Sequence, residues 1–126
     1  MKLNADVRLP ARVSAGDQPW VPSPIAGVER RMLERDGDEI ARVTSIVRYA
    51  PGSSFAPHIH RGGEEYLVLD GVFSDESGNF PAGTYVRNPV GSHHRPYTAS
   101  GCTIFVKLWW MHMGDQAQVF SEIRLI

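Results

Sequence analysis

The chain has 126 residues, enough for one domain that buries roughly two-thirds of its unfolded surface without disulfide staples. Hydrophobic residues make up 42% and charged residues 21%, and 13 basic against 14 acidic residues leave a net charge of −1. That balance excludes the basic footprint of a nucleic-acid binder, and no apolar run is long enough to span a bilayer. One cysteine, Cys102, excludes an internal disulfide and points to a reducing, cytoplasmic setting. The first residues, Met1 to Asp6, lack the apolar core of a signal peptide.

Residues 1–27 carry Pro10, Pro19, Pro22 and Pro24 and read as an extended N-terminal arm with at most one edge strand, because proline cannot donate to a central ladder. Residues 28–126 read as the folded barrel. Residues 29–40 admit a short helix, which Gly37 would break. Strand signals then recur at short intervals: Arg42 to Tyr49, Phe55 to His60, Glu65 to Val72, Thr84 to Arg87, a run ending near Tyr97, Thr103 to Met111, and Gln118 to Ile126. Gly and Pro separate them, and Asp75-Glu76-Ser77-Gly78-Asn79 is a turn cluster. Many short strands with little helical periodicity predict an all-β sandwich or barrel.

Histidines are grouped as His58-Ile59-His60 and His93-His94. Residues two apart on an extended chain face the same side, so His58 and His60 form a pair of imidazoles. Glu64 follows Arg61-Gly62-Gly63, a loop able to turn back tightly, and a carboxylate beside imidazoles is a divalent-metal donor set. Glu65 should face the opposite way. Of His93 and His94 at most one can share the face, and spacing alone does not choose. Tyr66 has the parity of Glu64 and is expected inside. Tyr66 and Arg87 are the candidate catalytic side chains, Arg87 as an anion binder, although half of a salt bridge is the simpler reading for it. Tyr85, Trp110 and His112 are further polar or aromatic candidates. Trp109 and Trp110 suit a core or dimer interface, and Cys102 a buried structural thiol.

The segment Gly52 to Gly71 resembles the first cupin motif, matching at Gly52, His58, His60, Glu64 and Gly71. Gly83 to His94 resembles the second, matching at Gly83, Pro89, Gly91 and His94. The asparagine usual four residues after the last histidine is replaced by Thr98. The resemblance implies a single cupin (RmlC-like jelly-roll) β-barrel. It also implies one bound divalent metal (Zn, Fe, Mn, Ni or Cu) held by His58, His60, Glu64 and His94, a small-molecule ligand or substrate, and a homodimer.

Residues 18 to 108 are similar to the metal-binding cupin domain of ChrR-type anti-sigma factors. Those proteins also carry an N-terminal zinc domain that grips a sigma factor. No histidine precedes His58 here, so anti-sigma activity is not expected. Acetylacetone dioxygenase, a cupin with iron on three histidines and no metal-binding glutamate, is a second resemblance, from which Glu64 departs. Two readings follow: a standalone metal-dependent, dioxygenase-like oxidoreductase acting on a small keto/enol compound, or a non-catalytic zinc-binding or ligand-sensing module.

Overall fold

A computed structural model describes residues 1–38, 41–55, 58–59 and 62–108, with 58–59 by backbone alone. Twelve strands are found among these residues: β1 (Lys2–Leu3), β2 (Val21–Pro22), β3 (Val28–Gly37), β4 (Ala41–Tyr49), β5 (Ser53–Ser54), β6 (His58–Ile59), β7 (Glu64–Asp75), β8 (Gly78–Pro81), β9 (Tyr85–Asn88), β10 (His93–His94), β11 (Tyr97–Thr98) and β12 (Cys102–Leu108). The described residues contain no α-helix, only a 3-10 turn at Ala15–Asp17. No helix among them is long and apolar enough to cross a membrane.

All pairings are antiparallel. The main path runs β1-β3-β4-β12-β7-β11-β5, with β2 on β3 and both β8 and β9 on β7, while β10 and β6 form a separate ribbon. This is the jelly-roll expected from the sequence. In place of the helix admitted for residues 29–40, residues up to Gly37 form β3, paired to β4 along nearly its whole length, and residues 39–40 lie outside the described residues. β-Branched residues in β4 favour a pleated partner, and that tertiary pairing overrides the weak local helical pattern. Runs placed at Gln118 to Ile126, with Trp109, Trp110 and His112, lie outside the described residues.

The arm meets the edge of the sheet twice rather than once. Lys2 stands opposite Asp36 at one end of β3, and Val21 opposite Arg30 near the other. The Trp20 ring, just before the second crossing, has the guanidinium of Arg31 4.4 Å and that of Arg48 4.0 Å from its centroid. Two cation–π contacts to one ring tie the arm to the sheet, because the ring quadrupole attracts cations.

The core comprises Val28, Val47, Tyr66, Val68, Phe73, Cys102, Ile104 and Val106. Cross-strand rows deliver these to one face: Tyr49 meets Cys102, Val47 meets Ile104, and Ser45 meets Val106 on the β4–β12 pair. Side chains alternate along β7 until a bulge. Thr103 pairs with Asp70 but Ile104 pairs with Val68, so Leu69 is the extra residue. Glu64, Tyr66 and Val68 are buried before it; after it Phe73, Ser74 and Asp75 are all buried, and Gly71 opposite the core residue Cys102 sets the inward parity to odd.

Gly71 lies beside the bulge with φ at 73°, and a Cβ there would sit 2.2 Å from the Gly101 carbonyl oxygen. Backbone on that side cannot yield cheaply. Gly52 shares a positive φ of 79° but has nothing within 4 Å of its would-be Cβ. Gly71→Ala is therefore expected to cost ~3 kcal/mol or more, and Gly52→Ala only the ~1 kcal/mol of left-handed backbone. Urea unfolding of both variants checks this; equal costs would show that the Gly101 approach is not limiting.

Candidate metal centre

Glu64 and His94 come together from different parts of the fold. Glu64 begins β7, opposite Leu108 of β12 and Asn88 of β9. Strand alternation turns it inward: Glu64 is 8% exposed, whereas Glu65 is only partly buried and accepts a hydrogen bond from the Tyr85 hydroxyl at 2.7 Å. The Asn88 side-chain amide donates to Glu64 Oε2 at 2.9 Å. His94, at the end of β10, is 5% exposed, whereas its neighbour His93 is exposed. The β6–β10 register sets His94 directly opposite His58.

The His94 Nε2 and Glu64 Oε2 atoms are 3.5 Å apart. Two ligands each about 2.1 Å from one ion, at a tetrahedral angle, lie about 3.4 Å from each other. The described pair, one imidazole nitrogen and one carboxylate oxygen, thus fits a divalent metal in chemistry and spacing. His60 lies outside the described residues. Among the described residues alone, no group of three or more His, Cys, Asp or Glu side chains suited to a metal is present.

Tyr66 is 2% exposed, two residues along β7 from Glu64, with the same inward parity. Burial pushes its phenol pKa far above the usual value, and the nearby Glu64 and Asp75 charges add to the shift. Its O–H is therefore retained across the physiological range. Tyr66 packs edge-on to Phe73 at 5.4 Å, and Phe73 stacks on Tyr49 at 4.8 Å, giving an aromatic wall. Burial likewise raises the Tyr49 pKa. Arg87 is not brought to this group: it is exposed, opposite Glu65 on the far face of β9.

Two residues of the neighbourhood are not distinguished by motif spacing. Asn88, just past the run read at Thr84 to Arg87, is placed by the β7–β9 register. Asp75, read only as turn, is 6% exposed and presents Oδ2 to His94 Nδ1 at 3.3 Å. Asn88 could have been found from the hairpin register. Asp75 could not, because the bulge reverses its parity.

The profile of the ChrR cupin-like domain matches residues 10–112. The chain belongs to the ChrR cupin-like domain family. This ChrR-like cupin is 31% identical over 118 residues to the anti-sigma-E factor ChrR of Cereibacter sphaeroides, covering 79% of this chain and 53% of ChrR. It thus spans about half the length of that relative. The structure of Rhodobacter sphaeroides SigE with the anti-sigma ChrR is similar at a TM-score of 0.61 and 26% identity, over 73% of this chain and 50% of that one. An acetylacetone dioxygenase from Acinetobacter johnsonii shares the fold, with a TM-score of 0.63 and 24% identity over 79% of this chain and 72% of its own. So does a putative acetylacetone dioxygenase from Methylibium petroleiphilum PM1, with a TM-score of 0.70 and 21% identity over 80% and 77%.

Cys102 of this ChrR-like cupin is buried, and desolvation pushes its thiol pKa up to about 11, despite a hydrogen bond with Thr98 that acts the other way. The folded thiol therefore holds its proton through a range in which the unfolded thiol, near 9, has lost it. Folding stability contributed here is present below about pH 9 and is lost as pH rises toward 11. Disulfide-exchange labelling of Cys102 at pH 8 should be at least ~100-fold slower in folded than in urea-unfolded protein. Comparable rates in the two states would contradict the burial.

Proposed function

We propose that this ChrR-like cupin holds one divalent ion through His58, His60, Glu64 and His94, and uses it on a small keto/enol compound as a dioxygenase-like oxidoreductase. The observation carrying this reading is the 3.5 Å approach of two buried donors, His94 Nε2 and Glu64 Oε2. Zinc, iron, manganese, nickel and copper all accept imidazole with carboxylate. When bound, such an ion supplies Lewis-acid polarisation of an enolate or keto oxygen.

The chain's own residues supply the rest. Asn88 holds the Glu64 carboxylate by a hydrogen bond to Oε2. Tyr66, protonated at its phenol oxygen, is a hydrogen-bond donor for a substrate oxygen on the same face. Phe73 and Tyr49 exclude water from that side. Low dielectric there strengthens each polar contact. Arg87, exposed and opposite Glu65, has no part in this arrangement.

A second reading, a zinc-binding or ligand-sensing module, is favoured by one observation. Identity to the anti-sigma factor ChrR is 31%, whereas the likeness to dioxygenases is one of fold. Sigma-factor binding belongs to neither reading.

Metal analysis of protein grown without supplementation, joined to oxygen uptake on a β-diketone panel, separates the two. Iron, manganese, nickel or copper with substrate-dependent uptake is expected; stoichiometric zinc with no uptake would sink the oxidoreductase reading in favour of the module. Glu64→Ala and His60→Ala should each lose the metal. At metal concentrations about 100 times Kd, they should also lose ~2.7 kcal/mol of metal-linked stability. Full metal content in either variant would remove that residue from the ligand set.

A further inference from the structure

The β7–β8 turn does more than reverse the chain. Two successive carboxylates in it grip the strand end that bears His94. Asp75 Oδ2 lies 3.3 Å from His94 Nδ1, with both side chains 5% exposed. Glu76 Oε2 accepts the backbone N–H of Arg95, the next residue, at 2.9 Å. One carboxylate thus addresses the ring and the other the backbone beside it.

The turn is itself braced. Asp75 Oδ1 accepts the Ser77 backbone N–H at 2.7 Å, and the Ser74 hydroxyl donates to Asn79 Oδ1 at 2.7 Å. Asp75 and Gly78 close the hairpin as a pair. The Asp75 carboxylate is therefore held on one oxygen while the other is aimed at the imidazole.

We propose that this turn is a positioning clamp for His94, with Asp75 as its positioning residue. A carboxylate acceptor at Nδ1 favours the tautomer carrying its proton there. That leaves the Nε2 lone pair directed toward Glu64. Glu76 fixes the backbone so that the ring cannot swing away from Asp75. The purpose of the clamp rests on the metal-binding reading above, whereas its geometry does not.

Two measurements test it separately. In metal-free wild-type protein, at a pH where the ring is neutral, nitrogen-detected imidazole NMR should place the His94 proton on Nδ1. A proton on Nε2 overturns the clamp, and this needs no variant. Zn(II) affinity is then measured by chelator competition in wild type, Asp75→Asn, Glu76→Ala and His94→Ala. With the fold intact by circular dichroism, Asp75→Asn should bind about 10- to 100-fold more weakly. Glu76→Ala, which removes an exposed carboxylate that touches only the backbone, should weaken binding about threefold, at the low end of what a single hydrogen bond contributes. Unchanged affinity in Asp75→Asn alongside lost affinity in His94→Ala overturns the clamp and spares the metal reading. Wild-type affinity in His94→Ala sinks the metal reading instead, and the tautomer alone then decides the clamp.

Discussion

The site depends on one strand delivering two carboxylates to the same interior. Glu64 opens β7 and Asp75 closes it, eleven residues apart, and strict alternation would send them to opposite faces. The bulge at Leu69 inserts one residue and restores both to the inside. Gly71 makes the insertion feasible, since its backbone lies against Gly101 where a side chain has no room. The apolar row of Tyr66, Val68 and Phe73 is built by the same switch, so packing and site geometry share one cause.

From that strand, the rest of the centre is assembled by pairing. β9 brings Asn88 to Glu64, and the β8 turn brings Asp75 to His94. The β6–β10 ribbon is not bonded into the main sheet among the described residues. A two-stranded ribbon is marginal by itself. Its attachment to the barrel through Asp75 and Glu76 therefore has structural weight as well as chemical interest.

Much of this is legible in the sequence, and the exceptions have physical reasons. Short strands with Gly and Pro between them announce an all-β sandwich or barrel, the cupin-like motifs imply the jelly-roll, and two-residue periodicity turns Glu64 and Tyr66 inward while excluding Glu65. Residues 29–40 admit a helix locally, because what makes 29–37 a strand is β4, a non-local partner. Arg87 looks available for substrate by composition alone, yet its parity on β9 is that of Tyr85 and not of Asn88. Asp75 is hidden for a different reason: polar residues beside Gly look like an ordinary solvated turn, and a bulge cannot be counted without knowing the partner strand.

The arm's attachment mixes two kinds of contact with opposite responses to ionic strength. At the Met1 end, the ammonium meets Asp38 at 2.8 Å and Lys2 meets Asp36 at 3.6 Å, both with exposed groups. Such pairs fade once salt shortens the screening length below about 10 Å. At the Trp20 end, the ring beside Arg31 and Arg48 also contributes apolar contact that salt does not weaken. Raising salt thus weakens the ion pairs at the first residues, where the β1–β3 ladder remains, and leaves the apolar contact at Trp20 in place, so solvent acts on the two crossings of the β3 edge unequally.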